Sequence, residues 1–149
     1  AVRHEVVLGG GMMGGMMGAA GSPDGMDHMM ETTGGMSGGM GMAWTINGFA
    51  ATGHDMSPML ELKRGRSCVL ALANQTAWWH PMHLHGHFFR VITRNGAATR
   101  YREWRDTVLL APRERVEVAF VADNPGNWMI HCHVLDHQNG GMMGILQVA

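Results

Sequence analysis

The chain carries almost no charge bias. Its 149 residues hold 11 Lys and Arg against 12 Asp and Glu, a formal net charge of -1. That balance removes the electrostatic ground for nucleic acid or an anionic membrane surface as a partner. No apolar run approaches the roughly 20 residues that cross a bilayer, so no membrane span is expected. Cysteine is scarce: Cys68 and Cys132 are the only two, enough for one disulfide but not for a disulfide-built scaffold. Neither an initiator Met nor a signal peptide opens the chain, so it reads as part of a precursor or processed protein. No segment sustains a helical apolar period.

Three residue types are abundant instead: 22 Gly, 16 Met and 10 His. Ten of the Met lie between positions 12 and 42, and seven of the His fall in the windows 80–87 and 131–137. Cys132 stands between His131 and His133, which points to metal chemistry rather than a disulfide. Cys68 sits in the apolar stretch Cys68-Val69-Leu70-Ala71-Leu72 and reads as a buried free thiol.

The chain divides at about residue 43. Positions 1–43 comprise a short strand over 1–8 and a Gly- and Met-rich segment too poor in apolar pattern to pack by itself. Positions 44–149 read as all-β. Strands are expected at Trp44–Phe49, Met59–Lys63, Ser67–Asn74, His85–Thr93, Asp106–Leu110, Arg115–Val121, Trp128–Cys132 and Gly144–Val148. Asn95-Gly96 and Asp123-Asn124-Pro125-Gly126 mark turns, and a single helical turn fits after His133. Short strands separated by turn signals indicate a β-sandwich.

Strand parity sorts the histidines. Alternate side chains point to opposite faces, so Cys132 shares a face with Ile130 and Trp128, which are core-like. His131 and His133 then point outward. In the first window, His83 and His85 share one face, while His80 and Leu84 take the other. One ligand set is therefore His80, Cys132 and His137, with Met142 ten residues after the cysteine. Two imidazoles, a thiolate and a weak thioether make a donor set that suits electron-transfer copper. The other set, His83, His85, His131 and His133, is all imidazole and faces away. A structural zinc site also uses Cys and His, but it has no use for a cysteine placed between two histidines that point away from it. His87 has the outward parity and is read as a hydrogen-bonding neighbour; His4 and His54 are read as surface histidines.

The segment His80-Pro81-Met82-His83-Leu84-His85-Gly86-His87 and the segment His131-Cys132-His133 with His137 and Met142 resemble the signature motifs of the multicopper oxidases, the family of laccases and bacterial cuprous oxidases. The likeness extends over 44–149 and includes Ile46-Asn47-Gly48 and Trp104-Arg105-Asp106-Thr107-Val108. It implies a Greek-key cupredoxin fold, the family's C-terminal domain. It further implies His80, Cys132, His137 and Met142 as type 1 copper ligands, His83 as a type 2 ligand, and His85, His131 and His133 as type 3 ligands. In that family a substrate, Cu(I) or a phenol, is oxidised one electron at a time, and O2 is reduced to water at a trinuclear copper cluster. Met142 in the axial position implies a modest oxidant.

The resemblance also implies partners. Two further His-x-His motifs in N-terminal cupredoxin domains complete the cluster in the family, and this sequence does not contain them. They are expected on a separate or missing chain. Gly25-Met26-Asp27-His28-Met29-Met30 resembles the Met-rich insert of copper-efflux oxidases and makes Met26, Asp27, Met29 and Met30 candidates for binding substrate Cu(I), since thioethers are soft donors. Thr76 and Trp78 stand where that type carries Asp and Met, and Gln138 stands where it carries an acid linked to proton delivery. A periplasmic or secreted location follows from the family. The alternative is a stand-alone blue-copper electron carrier, against which the outward His83, His85, His131 and His133 weigh.

Overall fold

A computed structural model describes residues 1–11, 43–51 and 57–149. The Met-rich candidates Met26, Asp27, Met29 and Met30 lie outside the described residues, as does His54. Among the described residues, twelve strands and one short helix follow in order: β1 Val2–Gly10, β2 Trp44–Ile46, β3 Leu60–Leu62, β4 Ser67–Asn74, β5 His80–Leu84, β6 Phe89–Arg94, β7 Ala97–Ala98, β8 Trp104–Arg105, β9 Thr107–Leu110, β10 Arg115–Val121, β11 Gly126–Cys132, α1 Leu135–Asn139 and β12 Met143–Val148. They form two sheets, one ordered β2-β1-β4-β10-β6-β7 with β8 beside β6, the other ordered β3-β12-β11-β5-β9. This is the expected all-β cupredoxin sandwich.

Period-two patterning explains the layers. In β10, Val116, Val118 and Phe120 are buried while Glu117 points to the outer face and takes Arg3 across β4. β4 is apolar almost throughout, as suits a strand flanked by β1 and β10. Its last residue, Asn74, is fully buried. Leu70, Leu72, Val116 and Val118 of one sheet meet Met82, Leu84, Ile130, Cys132 and Leu146 of the other in a single core.

Two expected strands are corrected. The span His85–Thr93 is not one strand. β5 ends at Leu84, and β6 begins at Phe89 in the opposite sheet. Gly86, at φ 75°, makes the break, and a Cβ there would lie 2.3 Å from the Trp128 ring, so only glycine fits the crossing. Likewise β2 stops at Ile46, because Asn47 (φ 52°) and Gly48 (φ 80°) turn the chain back so that Ile46 bridges Phe49. The Asn95-Gly96 turn forms as expected between β6 and β7, and the helical turn after His133 is α1. β5, which lies wholly before the span His85–Thr93, and β7 and β8 are not among the expected strands. Among the described residues no helix is long and apolar enough to cross a membrane.

Candidate metal centre

β5 and β11 are antiparallel neighbours, with Cys132 opposite Met82 and His131 opposite His83. Along β5, His80, Met82 and Leu84 turn into the core while Pro81 and His83 are only half-buried. Cys132 enters the same core from β11. The chain then leaves β11, forms α1, and returns along β12. This loop carries His137 and Met142 back over the cysteine. The Met142 N–H donates to the His137 carbonyl at 3.0 Å, and the Cys132 N–H donates to the Met142 carbonyl at 3.2 Å, so the loop is tied to itself at both residues.

The result is a compact buried donor set. Cys132 Sγ lies 3.6 Å from His80 Nδ1 and 3.5 Å from His137 Nδ1. These three donor atoms all lie within 4.8 Å of one another. Met142 is fully buried in the same core, and its carbonyl accepts the Cys132 N–H. Trp44 walls the set, its ring 4.0 Å from that of His137 and 5.3 Å from that of His80. A soft sulfur, two imidazoles and a thioether-bearing residue in an apolar enclosure fit copper by the chemistry of the donors. Burial pushes the Cys132 thiol up, so the free chain holds it protonated and a bound cation is what would draw off that proton.

Burial, and then His137, pull His80 down to about 4. Burial also lowers His137, against the pull of Asp136. Both imidazoles are therefore neutral near pH 7 with a lone pair to give. This has a stability consequence for the metal-free chain. A histidine whose folded pKa lies below its unfolded value binds fewer protons folded than unfolded, so its stabilisation is present above about pH 6.5 and is lost as pH falls toward 4. His80 alone is expected to cost about 2 kcal/mol between pH 7.5 and pH 5, and His85, His87, His131 and His137 shift in the same direction. Urea unfolding of the metal-free protein at the two pH values checks this; an unchanged midpoint would contradict it.

The outward histidines gather on the far side of Cys132. Ring centroids are 4.7 Å apart for His83 and His85, 4.7 Å for His83 and His133, and 5.2 Å for His131 and His133. His85 Nε2 lies 3.0 Å from His131 Nε2. His83 Nδ1 sits 2.9 Å from the Asp106 carbonyl, and His131 Nδ1 sits 3.0 Å from the Cys132 carbonyl. With Nδ1–H donated to a carbonyl, each keeps its lone pair on Nε2, the nitrogen that could bind a metal, although in the metal-free chain that of His131 faces His85 Nε2. Burial, followed by His83 and His133, lowers His85; burial is also the main cause for His131.

Other histidines stand apart. The turn at Gly86 removes His87 from this cluster; it is buried against Phe120 and Trp128, 5.3 Å and 6.1 Å away. Trp128 packs against the core beside Ile130. His4 lies on β1 opposite Leu70. Cys68 is a buried free thiol, raised by that burial. Sequence reasoning missed Trp44 as a wall of the buried set and Asn74 as a neighbour of Thr76. It also missed Asp106 and Thr107 as partners of His83, although Asp106-Thr107 belongs to a motif it singled out.

Comparison with known proteins agrees. A family model described as multicopper oxidase matches residues 25–149. The chain is 38% identical over 99 residues to the multicopper oxidase MmcO of Mycobacterium tuberculosis, covering 66% of this chain and 18% of that protein. Among solved structures it superposes on a multicopper oxidase of Campylobacter jejuni, a metallo-oxidase, with TM-score 0.74 and 27% identity over 99% of this chain and 30% of that one. A blue copper oxidase from Nitrosomonas europaea gives TM-score 0.74 and 28% identity, over 99% of this chain and 44% of that one. The chain thus spans only a minor part of the relatives it matches. With that family match over most of its length and a buried His-Cys-His group beneath the outward histidines, this chain belongs to the multicopper oxidase family.

Proposed function

We propose that this chain is the C-terminal cupredoxin domain of a copper-dependent oxidase that couples one-electron oxidation of Cu(I), or less selectively of phenols, to reduction of O2 to water. His80, Cys132, His137 and Met142 hold the type 1 copper. His83 is a ligand of the type 2 copper, and His85, His131 and His133 are ligands of the type 3 pair. When bound, copper supplies one-electron redox chemistry at the buried set and oxygen-reducing chemistry at the outward set.

The observation that carries this reading is the position of Cys132. It is buried among the inner donors, while its chain neighbours His131 and His133 belong to the outer cluster. One residue therefore links the two sets through covalent bonds. His80 is fully buried behind Trp44 and half-exposed Trp78, whereas His137 is only half-buried. His137 is thus the inner ligand that an electron donor approaches most closely. The four outward imidazoles are too few to enclose a cluster of three metals and lie where a second body can dock. This supports partner cupredoxin domains of the same oxidase, which supply the remaining imidazoles. The small share of its relatives that the chain spans supports the same partner. A periplasmic or secreted location fits the family and the need for copper.

Cu(I) is favoured over phenols by the ten Met between positions 12 and 42 and by the metallo-oxidase description of the Campylobacter jejuni relative. The test is O2 uptake by the complete oxidase with Cu(I) and with a phenol, before and after replacing Met26, Met29 and Met30 by Leu. The expected result is a raised KM for Cu(I) with phenol turnover unchanged. Unaltered Cu(I) kinetics would remove the Cu(I) role, and absence of O2 uptake with either substrate would overturn the oxidase reading.

A further inference from the structure

Behind His80 lies a buried polar chain that the copper donors do not use. Asn74, Thr76 and His80 are all essentially inaccessible. Asn74 Nδ2 donates to the Trp78 carbonyl at 2.7 Å and to the Ala111 carbonyl at 2.9 Å. Two carbonyls can be met only by the amide nitrogen, so Asn74 Oδ1 must face Thr76. There it accepts the Thr76 N–H at 3.0 Å and lies 2.7 Å from Thr76 Oγ1. The hydroxyl has a single proton, and two oxygens at that separation require it between them, so Thr76 Oγ1–H donates to Asn74. Thr76 Oγ1 is left as an acceptor toward His80 Nε2, 2.7 Å away. His80 Nε2 therefore carries the hydrogen, and Nδ1, the nitrogen 3.6 Å from Cys132 Sγ, keeps its lone pair.

We infer that Asn74 and Thr76 are positioning residues that lock His80 in the tautomer whose Nδ1 is free for the metal. This inference rests on the assignment of His80 as a copper ligand. The direction of each bond is set from the far end of the chain, by the backbone carbonyls of Trp78 and Ala111. Ring orientation and tautomer are thereby fixed before any metal arrives. A lone imidazole in this enclosure would have no water to satisfy Nε2–H and could turn or exchange its proton between nitrogens. The arrangement is of the kind in which an outer hydrogen bond orients a histidine ligand, whose loss typically costs 10–100-fold in metal affinity.

The test compares the 149-residue chain with Thr76→Val, of similar shape, and Thr76→Ser, which keeps the hydroxyl. Two readouts are used: nitrogen-15 NMR of the His80 ring in the metal-free protein, and Cu(I) affinity by competition with a chelator. The wild type is expected to show Nε2–H. Thr76→Val should lose that single tautomer and bind Cu(I) about 10–100-fold more weakly, and Thr76→Ser should restore both. Nδ1–H in the wild type, or an unchanged Nε2–H signal in Thr76→Val, overturns the inference. Should Thr76→Val fail to fold, Asn74→Leu, which removes the acceptor oxygen that draws the Thr76 proton away from His80, must disturb the His80 tautomer; an unchanged ring signal there also overturns it. The NMR readout needs no copper, so a failure of the copper assignment shows separately, as a wild-type chain that does not bind Cu(I).

Discussion

Replacing Cys132 by serine is expected to abolish the blue absorption of the copper-loaded protein and reduce oxidase turnover of the complete enzyme to background. The thiolate is the soft donor that makes a trigonal His2Cys set a blue-copper site. A serine hydroxyl is hard, does not ionise near neutral pH, and is shorter. Its oxygen replaces the sulfur that lies 3.6 Å from His80 Nδ1 and 3.5 Å from His137 Nδ1. Loss of an outer partner of a metal ligand typically costs 10–100-fold in affinity or activity, and loss of the ligand itself should exceed that. The metal-free fold should suffer much less, because a buried hydroxyl without a full set of partners costs about 1–3 kcal/mol. The visible spectrum, copper content and a urea unfolding curve of Cys132→Ser separate the two effects. A variant that stays blue would remove Cys132 from the ligand set.

Trp44→Ala is expected to produce the largest loss of stability, about 3–5 kcal/mol, the usual cost of emptying a buried tryptophan site. Trp44 is 2% exposed and sits where three parts of the molecule converge. Its backbone pairs with Gly10 of β1, and its N–H donates to the Gly140 carbonyl at 3.0 Å, beside the loop that bears His137 and Met142. Its ring lies against His80, His137 and Trp78. Removing it opens a cavity next to two imidazoles whose neutrality depends on being dry. The burial that holds His80 down to about 4 would weaken, so its pKa should rise toward the ordinary value. The pH dependence of stability below pH 6.5 should therefore flatten in this variant. Urea unfolding at pH 7.5 and pH 5 measures both effects; a loss below about 1 kcal/mol would show that Trp44 does not hold the site together.

The division of histidines into inner and outer sets was legible because it depends on period two alone. Parity along β11 does not require knowing which strand pairs with it, and the register of His131 opposite His83 then brings the outward residues together. The end of β5 was not legible. The sequence window is continuous through Gly86, and only the Trp128 ring, 42 positions later, shows why the chain must cross sheets there. β1 could be seen as a strand, but its parallel pairing with β4, from Val2 opposite Cys68 to Leu8 opposite Asn74, depends on a partner choice that no local pattern encodes. Thr76 was visible only as a mismatch to the copper-efflux pattern. Its hydrogen bond to His80, four residues on, depends on how the turn between β4 and β5 folds, and the pinning of Asn74 by the Ala111 carbonyl comes from a residue 37 positions away.

The central claim is that the inner donor set is complete within this chain and the outer one is shared. Copper content measured together with the visible spectrum of the 149-residue chain, free of any partner, tests it most directly. The account predicts one tightly held copper per chain and an intense blue colour, with any further copper washed away. A colourless copper complex, or additional copper held as firmly as the first, would contradict it.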